Sequence, residues 1–162
     1  MSSPNAEPSC APAVEEVAQL LVARGWTAAA AESLTGGLLC SSLARGPDAA
    51  AWFRGGLVAY ASDVKHGVLG VPEGPVVNEP AARHMARGIA AMLSAHCAVA
   101  VTGAGGPNGQ DGAEPGTVCF AWRIGDDELA RTEHFPGSAE EVCAQTCQLA
   151  VVTLRDLLRA VR

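Results

Sequence analysis

Residues 97–101, with the sequence CAVAV, form a continuous apolar run that strongly constrains how this chain folds. An uninterrupted run of this length is typical of a strand buried on both faces in the middle of a parallel sheet. A sheet of that kind needs helices against both of its faces. The run therefore favours an α/β protein.

Helical and strand patterns alternate around this run. The patterns predict helices over residues 13–24, 36–45, 63–69, 79–95 and 139–160, and strands over residues 27–31, 57–61, 97–101, 117–124 and 128–135. Ser62 and Asn78 are predicted N-caps, and Ser138 with Glu141 forms a predicted capping box. The order of the elements predicts a three-layer α/β/α sandwich with a mostly parallel mixed sheet and one antiparallel strand.

The length and charge of the chain narrow its classes of function. A chain of 162 residues predicts one domain, which we assign to residues 13–162. Residues 1–12 are rich in Ser, Pro and Ala and are predicted to be a disordered tail without a signal-peptide pattern. No apolar stretch is long enough to span a membrane, so we expect a cytoplasmic protein without a membrane partner. The net charge of -6 and the lack of a basic stripe argue against nucleic-acid binding.

The six cysteines and four histidines do not have the spacing of a metal site. No two cysteines form a C-x-x-C pair, and the histidines lack the spacing of a metal-binding helix. Reduced, partly buried thiols are the expected state in a cytoplasmic protein. The sequence therefore predicts no metal and no cofactor.

The segment Glu32-Ser33-Leu34-Thr35-Gly36-Gly37 connects a predicted strand of alanines to a predicted helix. A helix N-terminus presents unpaired N–H groups and a partial positive charge, which suit a phosphate or a developing oxyanion. Ser33 and Thr35 are therefore candidates for a nucleophile, a phosphate ligand or both. The alternative is a corner whose glycines only allow tight packing of a strand against a helix.

Two further segments follow predicted strands, and α/β sheets bind ligands beyond the carboxyl ends of their strands. One contains Tyr60 and Lys65, and the other is the glycine-rich loop from Thr102 to Gly109. Lys65 is predicted in the first turn of a helix, where the helix dipole and any burial disfavour its charged form. A neutral lysine can take a proton from a serine hydroxyl, whereas the alternative is an ordinary solvated lysine.

Several segments of the chain occur together in one order. They are residues 32–37, Ala51-Trp52-Phe53 with Gly55-Gly56, Tyr60 with Lys65, Leu69-Gly70-Val71, Asn78-Glu79, residues 102–109 and Pro115-Gly116-Thr117-Val118. In combination they closely resemble the CinA C-terminal domain family, the nicotinamide-nucleotide amidases. The resemblance extends from about Val14 to Leu158, which is nearly the whole chain.

The resemblance implies a three-layer fold and hydrolysis of nicotinamide mononucleotide to nicotinate mononucleotide and ammonia, without a metal. It implies that Ser33 is the nucleophile and Lys65 its general base, and that Tyr60 and Thr102 support this pair or the substrate. The other candidate contacts to this small-molecule nucleotide are Glu32, Thr35, Gly36, Gly37, Gly103, Gly105, Gly106, Gly109 and Thr117. The resemblance also implies a homo-oligomer.

The chain departs from the family pattern near the start of its last helix. The segment Phe135-Pro136-Gly137-Ser138-Ala139 lacks an arginine, and Cys143 stands at about the position expected for a second one. If either arginine contacts the substrate phosphate, the affinity for a mononucleotide falls. Two rival functions are a non-catalytic nucleotide-binding or regulatory module and an amidase for a different carboxamide.

Overall fold

A five-stranded sheet lies between two layers of helices in the computed structural model, which describes residues 9–162. The strands are β1 (Ala28–Glu32), β2 (Phe53–Val58), β3 (Cys97–Gly103), β4 (Thr117–Ile124) and β5 (Asp127–His134). The helices are α1 (Ala11–Arg24), α2 (Leu38–Ala44), α3 (Ala49–Trp52), α4 (Ser62–Leu69), α5 (Glu79–Leu93) and α6 (Ala139–Ala160). The predicted α/β class is confirmed.

The strands lie in the order β2-β1-β3-β4-β5. Strand β1 is parallel to β2 and to β3, whereas β4 is antiparallel to β3 and to β5. Strand β4 is therefore the one strand that runs against the other four, as predicted. All residues of β3 are buried, which agrees with the central position that its apolar run predicts.

Each face of the sheet has its own core, because successive side chains of a strand point to opposite faces. One face packs Ala28 and Ala30 with Trp122 against side chains of α1 and α6. The other face packs Ala29 and Ala31 against side chains of α5. The alanines of β1 are small enough to let helices approach the sheet closely on both sides.

Local capping signals located two of the helices correctly. Asn78 Oδ1 accepts a hydrogen bond from the backbone N–H of Ala81 at 2.8 Å, and Ser138 with Glu141 forms the predicted capping box. The prediction that Ser62 is an N-cap was wrong. Ala61 takes that place in an extended conformation, so Ser62 is the first residue of α4 and its side chain caps nothing.

Strand β2 was predicted over residues 57–61, but it spans Phe53–Val58. Gly55 and Gly56 lie inside the strand, although a glycine pair usually indicates a turn. In the fold, Gly56 pairs with Ala30, and a Cβ atom at Gly56 would collide with the Ala30 carbonyl oxygen and with Cys40 Sγ. Close packing between elements, and not a turn, requires a glycine here. The short helix α3 was not predicted.

The N-terminal boundary also differs from the prediction. Helix α1 begins at Ala11, inside the predicted tail, while residues 1–8 of that tail lie outside the described residues. Among the helices of residues 9–162, none combines the length and the hydropathy needed to cross a membrane.

Candidate active site

A cavity of about 270 Å³ lies beyond the carboxyl ends of β1 and β3. Its lining is Ser33, Leu34, Tyr60, Gly103, Ala104, Gly105, Gly106, Asn108, Gly109, Gln110, Ala139 and Cys143. The structure thus brings the predicted nucleophile, Tyr60 and the glycine-rich loop to one cavity. This is the edge of an α/β sheet where ligands bind.

Ser33 follows the last residue of β1 and is buried, yet it lines the cavity. Its carbonyl oxygen accepts from the N–H of Gly36 at 3.0 Å, which closes a turn between β1 and α2. Within residues 9–162, the backbone N–H groups of Leu34 and Thr35 donate to no other protein group. The turn therefore places a serine and, beside it, the main-chain donor of Leu34 at the cavity.

Glu32 is fully buried directly before Ser33. Its Oε1 accepts from Thr35 Oγ1 at 2.6 Å, from Gly37 N at 3.2 Å and from Leu39 N at 2.9 Å, and its Oε2 accepts from Cys40 N at 2.8 Å. The N-terminal donors of α2 are therefore already used by a carboxylate of the chain itself. The Thr35 hydroxyl and Gly37 N, predicted as contacts to a ligand, are thus bonded to Glu32, and Gly36 N is bonded within the turn.

Lys65 is the only lysine in the sequence, and it is 1 % exposed. Its Nζ donates to the carbonyl oxygen of Tyr60 at 3.1 Å. Burial lowers the pKa of Lys65 from 10.5, and the negative charge of Asp111 opposes this shift. The alternative of a solvated surface lysine is thus wrong, and burial makes the neutral amine easier to form than it is in a solvated lysine.

Lys65 does not line the cavity itself, but it bonds to Tyr60, which does. The side chain of Tyr60 is 70 % exposed at the cavity, while its carbonyl holds the buried amine. No hydrogen bond joins Ser33 Oγ to Lys65 Nζ in the described part of the chain. Catalytic hydrogen bonds are often long until substrate binds. A neutral Lys65 amine that donates to Tyr60 still has a lone pair that can accept a proton.

Thr102 and Thr117 do not line the cavity. The Thr102 hydroxyl donates to the carbonyl oxygen of Val76 at 2.8 Å, and Thr117 Oγ1 lies 3.1 Å from His134 Nδ1. The Thr102 hydroxyl therefore bonds the start of the glycine-rich loop to the segment before α5. Thr117 is the first residue of β4, and its hydroxyl lies beside a residue of β5.

Asp111 was not among the predicted site residues. Asp111 and Gly112 both have positive φ angles, 53° and 78°, between two residues that pair with each other. Asp111 Oδ2 accepts from the N–H groups of Val76 and Val77 at 2.8 and 3.2 Å, so it ties the glycine-rich loop to the segment before α5. The Asp-Gly dipeptide is the local signal that indicates such a turn.

Helix α6 closes one side of the cavity with Ala139 and Cys143. The Cys143 thiol donates to the carbonyl oxygen of Leu34 at 3.2 Å. Burial raises the pKa of Cys143, and the negative charges of Glu32 and Glu140 raise it further. Cys143 is therefore a neutral thiol, and residues 9–162 contain no cluster of three His, Cys, Asp or Glu side chains placed to hold a metal ion.

The chain is similar to proteins of one family. The model of the CinA C-terminal domain matches residues 11–158. A CinA-like protein of Mycolicibacterium gilvum is 39 % identical over 151 residues, which cover 89 % of this chain but 35 % of that protein. The chain therefore spans about a third of the length of that relative, whereas it covers 86 % of Protein YdeJ of Escherichia coli, at 34 % identity.

Solved structures have the same fold. The competence damage-inducible protein A (ComA) from Klebsiella pneumoniae superposes with a TM-score of 0.91 at 34 % identity, covering 96 % of this chain and all of that one. A CinA superfamily protein from Escherichia coli superposes with a TM-score of 0.88 at 30 % identity, covering 98 % of this chain and 94 % of that one.

Proposed function

Because the chain belongs to the CinA C-terminal domain family, we propose that it is an amidohydrolase that cleaves the carboxamide C–N bond of a nicotinamide compound. The family resemblance makes nicotinamide mononucleotide the reference substrate, with nicotinate mononucleotide and ammonia as products. The observation that carries the proposal is the buried Lys65, whose pKa is lowered by burial and whose Nζ donates to the carbonyl oxygen of Tyr60, a residue of the cavity that Ser33 lines.

In the first half of the reaction, Ser33 Oγ attacks the carboxamide carbon, and Lys65 Nζ accepts the hydroxyl proton. The carbonyl oxygen becomes an oxyanion, to which the backbone N–H of Leu34 can donate. The C–N bond then breaks, and the leaving NH₂ group takes the proton from Lys65 to depart as ammonia. An ester between Ser33 and the acyl group remains.

In the second half, water attacks the ester carbon and gives a proton to Lys65. The bond from the acyl carbon to Ser33 Oγ breaks, and Ser33 regains the proton from Lys65. The carboxylic acid is released and ionises in water. The net reaction consumes one carboxamide and one water and yields a carboxylate and an ammonium ion.

The test is ammonia release from nicotinamide mononucleotide by the wild type and by Ser33→Ala. We expect a loss of about a thousandfold or more, because the nucleophile is removed, and a similar loss in Lys65→Arg, whose guanidinium stays charged. Ser41→Ala, at an exposed serine of α2, is the matched control and should keep full activity. Equal rates for the wild type and Ser33→Ala would overturn the role of Ser33.

The pH dependence is a second signature of the proposed base. Lys65 must be neutral to accept a proton, so kcat/KM should rise with pH and become constant above an apparent pKa that is lower than 10.5. If the protein releases no ammonia from pyridine carboxamides and yet is thermally stabilised by one of them, a non-catalytic binding function replaces this proposal.

A further inference from the structure

The neutral lining of the cavity points to a substrate class. On the basis of the amidase function proposed above, we infer that the substrate carries no phosphate. It is a nicotinamide-type carboxamide whose remaining part is neutral or cationic, such as a pyridinium nucleoside. Ala139 and Cys143 on α6 set this selectivity.

The polar groups of the lining are hydroxyls, a thiol, side-chain amides and the main chain. They come from Ser33, Tyr60, Asn108, Gln110 and Cys143, and none of the described lining residues has a charged side chain. Hydroxyls and amides suit a carboxamide and a sugar. A phosphate dianion is much harder to move out of water without a cation to pair with.

The two helices that begin beside the cavity do not replace a cation. The N-terminal donors of α2 are bonded to Glu32. At the start of α6, Ser138 N donates to Glu141 Oε2 at 2.6 Å, and Glu141 N donates to Ser138 Oγ at 3.2 Å. Glu140 and Glu141 add negative charge to this first turn. A phosphate at either helix end would have to displace or face a carboxylate.

Five of the ten arginines pair with Glu128 or Glu16 on other surfaces, and no arginine is among the described lining residues. Arg83, Arg87 and Arg123 contact Glu128 beyond the opposite end of the sheet, and Arg155 and Arg159 contact Glu16. At Cys143 in the cavity wall, the negative charges of Glu32 and Glu140 both raise the pKa of the thiol. These two carboxylates disfavour an anion beside Cys143.

The size of the cavity agrees with a small substrate. Its volume of about 270 Å³ lies just below the usual range for ligand cavities, which begins at about 300 Å³. A carboxamide with one ring and one sugar needs less room than the same molecule with a phosphate.

The experiment compares nicotinamide riboside with nicotinamide mononucleotide, which share the carboxamide, the pyridinium ring and the ribose. We expect wild-type kcat/KM to be at least about tenfold higher for the riboside, because the dianion finds no cation in the cavity. Ala139→Arg should lower the riboside-to-mononucleotide ratio at least about fivefold, since an arginine can then pair with the phosphate. Ala139→Gln adds similar bulk without charge and should leave the ratio unchanged.

Binding is measured in parallel by calorimetry with Ser33→Ala, so that selectivity is read without turnover. Tighter binding or faster turnover of the mononucleotide by the wild-type site overturns the inference, as does an unchanged ratio in both Ala139→Arg and Cys143→Arg. If neither compound binds, the inference is overturned as well. Preferential binding of the riboside with no ammonia release from either compound upholds the substrate class and instead overturns the proposed amidase function.

Discussion

Glu32 and Glu128 are two carboxylates that the fold shields from water by different means. Glu32 is fully buried and is bonded by three backbone N–H groups and one hydroxyl. Glu128 keeps 10 % of its side chain exposed and is bonded by Arg87 at 2.6 and 2.7 Å and by Arg123 at 3.0 Å, with Arg83 at 3.5 Å. One acid relies on the main chain, and the other relies on cations.

This difference places charge unevenly over the molecule. The arginine cluster around Glu128 lies on the surface formed by α5, β4 and β5, and it neutralises an acid that is far from the cavity. Glu32 stands next to Ser33 with no cation bonded to it among the described residues. Main-chain donors thus hold the acid rigidly and leave its negative charge to act on the site.

Removing the Glu32 side chain should give the largest effect. In Glu32→Ala, the N–H groups of Leu39 and Cys40 and the Thr35 hydroxyl lose their acceptor inside the protein, which should cost about 3–5 kcal/mol of unfolding free energy. Urea unfolding measures this loss. Glu32→Gln keeps one acceptor oxygen and should lose less. If Glu32→Ala loses no more unfolding free energy than Glu128→Ala, the main-chain donors do not make Glu32 the more important of the two acids for stability.

The Lys65 side chain is buried with one carbonyl partner, so its ionisation costs more than it does in water, and its removal should increase stability. Lys65→Met should raise Tm by about 2–4 °C, which corresponds to about 1 kcal/mol for a chain of this size. The pKa of Lys65 is lower in the folded than in the unfolded state. The loss of stability that comes from burying the ionised amine is therefore complete below the folded pKa, and it disappears as the pH rises to 10.5. The increase in Tm of Lys65→Met over the wild type should therefore be smaller in thermal melts at high pH. A lower Tm for Lys65→Met at pH 7 would count against burial of the charged amine.

Glu128→Ala should have a smaller effect, and one that depends on salt. We expect a loss of about 1 kcal/mol at low ionic strength, since the arginines are partly exposed and each such pair contributes little. Unfolding in 1 M salt should reduce this loss, because screening weakens the ion pairs. The loss in Glu32→Ala should persist in salt. Equal salt sensitivity of the two variants would show that the two acids are held in the same way.

Acid should reveal the smallest effect. Hydrogen bonds from Arg87 lower the pKa of Glu128 from 4.5 to about 2, and Arg123 adds to this shift. Because the folded pKa is the lower one, the stabilisation is present above pH 4.5 and is lost as the pH falls toward 2. The difference in stability between the wild type and Glu128→Gln should therefore vanish over this window. A difference that is constant from pH 6 to pH 2 would contradict the role of the arginines.

Features that depend on neighbouring residues were predictable from the sequence. The central strand follows from the apolar run of residues 97–101, and the starts of α5 and α6 follow from caps whose partners lie three residues away. The strand-end position of Ser33 and the glycine-rich loop follow in the same way. These signals are short in range, so the sequence carries them locally.

Features that depend on distant contacts were not predictable. Gly56 belongs to β2 because Ala30 and Cys40 approach it closely, and nothing in the neighbouring sequence indicates this. The use of the α2 donors by Glu32, and not by a ligand, depends on the path of the chain between residues 32 and 40. The link from Asp111 to Val76 joins residues 35 positions apart.

The solitary, buried lysine also determines how the protein behaves as a reagent. Besides the α-amino group, Lys65 is the one aliphatic amine in the sequence, so amine-directed cross-linkers and labels find no lysine on the surface. The lowered pKa makes Lys65 more nucleophilic near neutral pH than a surface lysine. An amine-directed acylating compound would therefore modify only Lys65 among the side-chain amines, and the rate at which this adduct appears in the mass of the protein would report how often the buried amine becomes accessible.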